Sequence, residues 1–191
     1  MKTSEKPEIL YTRKDLDKMI SHCANELNAI FKSKNSQPIL IGVLNGAAPF
    51  MMDLIKKCKF NHKIDFIQVS SYDGNTSSGV VHLKKDISED IKDKDVVIVE
   101  DIIDTGVTLN FLKKYILHNY KPKSVRVVCL IDKKPLRKVD FTPDIVGTTM
   151  EEAKFIVGYG FDYDGFARNI NYIFIPTKAQ IDKRNRLNGK K

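Results

Sequence analysis

Glu100 and Asp101 stand side by side, and after two isoleucines comes Asp104-Thr105-Gly106-Val107-Thr108. Carboxylates at this spacing can take up a proton, bind sugar hydroxyls or hold a hard cation such as magnesium. Thr105 and Thr108 add hydroxyls, and Gly106 lets the backbone come close to an anion. The flanking residues supply the means of holding this group in place. Before it, residues 96–99 form an unbroken β-branched run, the pattern of a strand buried on both faces. After it, Leu109, Leu112, Ile116 and Leu117 recur at helical spacing. A strand, a tight polar turn and a helix put the turn at the carboxyl end of a strand, where open α/β sheets bind ligands. The first turn of the helix would offer free N–H groups to an anion there.

Three readings compete for this stretch. An ordinary βα unit with a solvated acidic loop explains the strand and the helix but not two adjacent carboxylates. Asp-Thr-Gly is also an aspartic protease triplet, in which two such aspartates share a proton. There is one triplet here, and a helical pattern follows it, which suits a βα unit better than an all-β protease. The third reading is a sugar-phosphate site, with hydroxyls and amides on a phosphate and carboxylates on ribose hydroxyls or magnesium.

Residues 97–108 resemble the phosphoribosyl pyrophosphate signature of type I phosphoribosyltransferases, in the variant typical of hypoxanthine-guanine phosphoribosyltransferases. Further segments, in the family's order from about residue 38 to residue 176, extend the resemblance. It implies an α/β fold, a mostly parallel central sheet flanked by helices. A small hood would be built mainly from about residues 150–180 plus the N-terminal segment, within one phosphoribosyltransferase domain over residues 1–191. It also implies transfer of a 5-phosphoribosyl group to hypoxanthine, and to guanine, in purine salvage with Mg2+. It further implies phosphoribosyl pyrophosphate and a 6-oxopurine as partners, and a homodimer or homotetramer as the state.

Site residues follow from the same resemblance. Glu100, Asp101, Asp104, Thr105, Gly106, Val107 and Thr108 would hold the ribose and its 5-phosphate, with Asp104 as general base toward a purine nitrogen. Lys133, Phe155, Ile156 and Asp162 would meet the purine: Lys133 at the six-position oxygen, Phe155 by stacking, Ile156 through backbone groups. Glu100, Asp101 and Asp162 would hold the metal. Leu44, Asn45, Gly46 and Arg168 would bind pyrophosphate, although relatives commonly carry Lys or Arg where this chain has Asn45. Ser71 and Tyr72 would open a catalytic lid. Two alternatives stay in view: a xanthine-preferring enzyme, and a nucleotide-sensing, RNA-binding regulator on the same fold.

Elsewhere the pattern is structural. Thr12 with Asp15 reads as a helix start, and Leu16, Met19, Ile20, Cys23, Leu27, Ile30 and Phe31 as its core stripe. Residues 38–44 read as a buried strand, Asn45-Gly46-Ala47-Ala48 as a turn, and residues 49–58 as a helix carrying Phe50, Met51, Leu54 and Ile55. Residues 63–71 and 80–83 read as a hairpin around a long Gly/Ser-rich connection. Residues 124–131 and 171–176 read as strands. The plainest reading of residues 154–163 is a strand into a turn with Phe155 in the core, and of Lys133-Lys134-Pro135 a solvated turn.

The 191 residues, 42% hydrophobic and 29% charged, suit one globular domain. No apolar run reaches the roughly 20 residues of a membrane helix, and MKTSEKPEIL has no signal-peptide core, so a cytoplasmic location is expected. Cys23, Cys58 and Cys129 read as reduced core thiols, and the four histidines share no metal-ligand spacing. A net charge of +8 favours anionic partners, but much of it lies in residues 133–138 and in the 178–191 tail, read as a solvated, partly frayed terminus. No basic–aromatic platform or zinc-finger pattern calls for nucleic acid.

Overall fold

The computed structural model describes residues 6–32, 37–71 and 81–187, with residues 71, 81 and 183–187 through their backbone. Within it the chain divides into two compact units, Lys18–Ala153 and the pair of stretches Met1–Asp17 with Lys154–Lys191.

The larger unit is built on six strands: β2 Ile39–Leu44, β3 Lys63–Ser71, β4 Val81–Lys85, β5 Asp95–Ile103, β6 Ser124–Asp132 and β7 Ile145–Thr149. Their order is β4-β3-β2-β5-β6-β7, parallel throughout except for the edge strand β4, which pairs antiparallel with β3. Helices α1 (Arg13–Phe31), α2 (Ala48–Ile55) and α3 (Val107–Tyr120) alternate with the strands. Continuous apolar runs form the inner strands because both faces are covered. On one face Ile41, Val96, Ile98 and Val127 pack with Leu109, Leu112 and Ile116 of α3. The alternating residues Leu40, Val97, Val99, Val128 and Leu130 are buried as well.

The smaller unit pairs β1 (Glu8–Tyr11) antiparallel with β8 (Ile173–Ile175) and ends in α4 (Lys178–Leu187). The Thr12 cap is present in reciprocal form: Asp15 N donates to Thr12 Oγ1 at 3.3 Å and Thr12 N to Asp15 Oδ2 at 3.1 Å. Thr177 and Gln180 make the same kind of cap at α4, at 3.2 and 2.9 Å.

Several expectations change. Strand β5 does not stop at Val99 but runs on through both carboxylates to Ile103, since its backbone ladder with β6 continues whatever the side chains. Leu117 is 45% exposed and lies off the apolar stripe of α3. Helix α2 ends at Ile55, not at Cys58, and Cys58 is only half-buried. Residues 154–163 are not a strand: they make isolated bridges, Val157 with Phe174 and Gly158 with Phe161, and Phe155 is 47% exposed rather than core. Residues 178–187 form a helix in place of a frayed tail, because the Thr177–Gln180 cap starts one. The three thiols are unbridged, and burial pushes Cys23 up to about 12 and Cys58 to about 11. Among the described residues no helix is long and apolar enough to cross a membrane.

Asp65 ties the β3–β4 edge to the sheet. Its nearly buried carboxylate accepts hydrogen bonds from Ser88 N (2.5 Å), Glu89 N (2.9 Å), Phe66 N (2.7 Å) and Lys85 Nζ (3.2 Å). Burial alone would raise its pKa, but these donors outweigh burial and hold it below the usual carboxylate value. A lowered native pKa adds stability above the unfolded value of about 3.9, and that stability disappears as pH falls through the native pKa. Asp65→Asn should therefore cost about 1–3 kcal/mol at pH 7. Urea unfolding at pH 7 and at pH 3 checks this: the gap between wild type and variant should narrow in acid.

Candidate active site

The carboxyl ends of β2, β5 and β6 lie along one edge of the sheet. They lead respectively into residues 45–47, residues 104–106 and Lys133. From β2 the chain goes to β3 on one side, and β5 lies on the other, so the β2/β5 boundary is where the winding reverses. This is the crevice in which open α/β sheets hold ligands.

The two loops meet there. A Cβ built on Gly46 would collide with the Asp101 carboxylate, so this position tolerates no side chain without displacing that carboxylate. The preceding Leu44–Asn45 peptide bond is cis. Asp101 Oδ1 accepts from Ile102 N at 2.9 Å, and Glu100 Oε1 from Asp101 N at 3.2 Å. Both carboxylates are buried. Burial first, then the charge and hydrogen bonding of Asp101, push the Glu100 carboxyl well above its ordinary range.

After β5 the chain turns tightly. Gly106 takes φ +77, the left-handed region, and serves as N-cap of α3 without a side-chain bond. Val107 N, the first amide of the helix, donates to Thr105 Oγ1 at 3.4 Å, a long bond. The start of the helix thus stands beside the hydroxyls of Thr105 and Thr108, a geometry that receives an anion. Asp104 lies at the head of this turn. Its buried Oδ1 accepts no hydrogen bond and faces Lys133 Nζ at 3.4 Å. Lys133 is only 5% exposed, so the solvated-turn reading of this lysine fails. Its backbone N donates to Ile103 O at 2.9 Å, which joins the end of β6 to the turn after β5.

The smaller unit carries its own group. Phe155 presents a half-exposed ring whose neighbour Tyr163 meets it edge-on at 5.4 Å, while Ile156 is buried. Arg168 pairs with Asp162 at 2.6 Å and donates to Gly160 O at 2.6 Å. Asp162 Oδ2 also accepts from Gly165 N at 2.6 Å. Of the lid pair, Ser71 ends β3 and Tyr72 lies outside the described residues. Among the described residues no three His, Cys, Asp or Glu side chains gather as a ready metal cage.

Two residues passed over in the sequence join the larger unit's site. Asp132, at the end of β6, is 4% exposed and takes a hydrogen bond from Arg137 Nη2. Arg137 Nη1 also reaches the Asp104 carbonyl at 3.4 Å. A buried carboxylate closing an apolar strand demands a partner, and that demand is the signal that could have pointed to Arg137.

Comparison with known proteins agrees over most of the chain. The family model for the phosphoribosyl transferase domain matches residues 12–164. The hypoxanthine-guanine phosphoribosyltransferase of Bacillus subtilis is 40% identical over 173 residues, covering 90% of this chain and 94% of that protein. The bifunctional protein TilS/HprT of Listeria innocua is 41% identical over 169 residues, 88% of this chain and 26% of that longer protein. Among solved structures, a hypoxanthine-guanine phosphoribosyltransferase from Bacillus anthracis superposes with a TM-score of 0.84 at 38% identity, covering 91% of this chain and 100% of that one. The sheet order, the carboxylate-rich turn after β5 and these matches lead to one conclusion: the chain belongs to the phosphoribosyltransferase family, among the hypoxanthine-guanine phosphoribosyltransferases.

Proposed function

We propose that this protein transfers the 5-phosphoribosyl group from phosphoribosyl pyrophosphate to hypoxanthine and guanine, a purine-salvage reaction in the cytoplasm carried out by a homodimer or homotetramer. The observation that carries the reading is the Asp104–Lys133 pair, 3.4 Å apart at the mouth of an anion-binding turn. The names of the relatives support the choice of bases. They lend nothing to a xanthine-preferring enzyme or an RNA-binding regulator.

In the reaction the bond from the sugar's C1 to pyrophosphate oxygen breaks, its electron pair leaving with pyrophosphate. A purine ring nitrogen bonds C1, and its proton passes to Asp104. Lys133 donates to the six-position oxygen of hypoxanthine or guanine and would oppose the amino group of adenine, itself a donor. The amides of the 104–108 turn with Thr105 and Thr108 take the 5-phosphate, and Glu100 and Asp101 take the ribose hydroxyls. In the smaller unit, the exposed Phe155 ring suits stacking on a purine, with backbone groups of Ile156 at its edge. Asp162 and Arg168 suit pyrophosphate, Arg168 as the cation for a phosphate fork. In the larger unit, Leu44, Asn45 and Gly46 would meet pyrophosphate through backbone, since Asn45 brings no charge. Ser71 and Tyr72 begin the segment that would close over the reaction and exclude water from the electron-poor sugar carbon.

Magnesium fits the larger unit's site. Two adjacent buried carboxylates, Glu100 and Asp101, are an oxygen donor set, and a divalent cation would offset the burial and mutual proximity that push Glu100 up. With no cage of three such side chains among the described residues, Glu100 and Asp101 would hold the ion together with substrate oxygens and water, the usual arrangement for Mg2+. Bound there, Mg2+ supplies neutralising charge to pyrophosphate.

Asp104→Asn should lower kcat for hypoxanthine by about 10²–10⁴ while leaving the fold intact. Steady-state kinetics with parallel thermal melts tests this, and undiminished turnover would remove Asp104 as the base. Gly46→Ala should raise KM for phosphoribosyl pyrophosphate far more than KM for the purine, because the new methyl group displaces Asp101. Equal change in both constants would contradict the loop's assigned role.

A further inference from the structure

We propose that Arg137 is a positioning residue for the transfer reaction: anchored on buried Asp132, its guanidinium clamps the Asp104–Gly106 turn and so holds the Asp104 carboxylate against Lys133. The inference rests on the function proposed above and extends it to a residue outside the substrate-contacting set.

Residues 133–139 fold back over the turn that follows β5. Two backbone hydrogen bonds fasten them, Lys133 N to Ile103 O and Lys138 N to Thr105 O, each at 2.9 Å. Asp104 lies between these two fixed points, and there the link is a side chain: Arg137 Nη1 faces the Asp104 carbonyl at 3.4 Å. The other limb of the same guanidinium, Nη2, donates to Asp132 Oδ1. Both partners are withdrawn from water, the Arg137 side chain 17% exposed and that of Asp132 6%.

The stem of Arg137 contributes as well. A Cβ at Gly106 would come within 3.0 Å of both Arg137 Cδ and Nη1, so the arginine lies directly over the left-handed residue that starts α3. One rigid, planar group therefore joins the end of β6, the carbonyl of the proposed base and the cap of the phosphate turn. Lysine could keep the charge beside Asp132 but cannot reach two acceptors with a fixed fork. Orientation matters here because a displacement of about 1 Å at a reacting group can cost on the order of 10²-fold in rate.

A role limited to neutralising Asp132 leads to different results, and two variants separate the cases. Arg137→Lys retains the charge and loses one limb; the double variant Arg137→Gln with Asp132→Asn removes both charges and the clamp together. Steady-state kinetics with hypoxanthine and amide hydrogen exchange are measured on the full chain. Both variants should lose at least about tenfold in kcat, with KM for hypoxanthine changed less than about threefold. Exchange at the Val107 and Lys138 amides should speed up, while the β2 amides keep their protection.

Arg137→Lys with wild-type kcat and wild-type exchange at the turn would overturn the proposal. So would recovery of full kcat in the double variant, since charge balance alone would then suffice. Uniform loss of protection that includes β2 in both variants would make Arg137 a structural residue and equally overturn it. If the wild type forms no nucleotide, the functional reading fails by itself. Exchange at Val107 and Lys138 then decides the clamp: faster in the variants supports it, unchanged overturns it.

Discussion

The site rests on an electrostatic constraint: four carboxylates, Glu100, Asp101, Asp104 and Asp132, are gathered at the ends of two neighbouring strands, and three of them are buried. Like charges in such surroundings repel strongly and lose hydration, so each must be compensated. The compensation differs from one to the next and thereby sorts their roles. Asp132 has a dedicated guanidinium, and Asp104 faces a buried ammonium. Glu100 and Asp101 hold one another at close range, with Glu100 shifted toward its neutral form. In the proposed reaction, that pair is the one that receives a cation or ribose hydroxyls.

The fold explains why these groups converge. Parallel strands β2, β5 and β6 deliver their connections to the same edge, and the reversal of winding between β2 and β5 opens the crevice there. Small residues allow close approach at the two points where backbone and side chain would otherwise collide. Gly46 makes room for the Asp101 carboxylate; Gly106 makes room for Arg137 and adopts a backbone conformation that other residues resist. The buried strands supply rigidity, and the turns supply the chemistry, a division common to α/β folds.

Much of this was legible in the sequence for physical reasons. Continuous apolar runs announced the inner strands of a sheet covered on both faces, and small polar turns between strand and helix announced the binding edge. The helix after Gly106 and the Thr12 cap were readable from local pattern alone. What local pattern could not carry was long-range pairing. β1 and β8 are separated by nearly the whole chain, and the bond between Asp132 and Arg137 depends on how residues 133–139 fold over another turn. Glu100 and Asp101 looked like loop residues because side-chain polarity hides a backbone ladder that runs on to Ile103. The α4 cap at Thr177 and Gln180 was present in the sequence but was outweighed by the charge of the tail. Lys133 illustrates the limit of composition: a lysine beside another lysine and a proline reads as solvated, yet the junction of β6 with the Asp104 turn buries it.

The central claim is that an acidic turn facing a buried lysine makes this chain a 6-oxopurine phosphoribosyltransferase. Its most direct test is nucleotide formation from phosphoribosyl pyrophosphate and magnesium with hypoxanthine, guanine, xanthine and adenine supplied in parallel to the folded wild-type protein. The account predicts rapid turnover of hypoxanthine and guanine and none of adenine. Turnover of adenine at a comparable rate would contradict the role given to Lys133, and the absence of nucleotide with every base would contradict the enzyme itself.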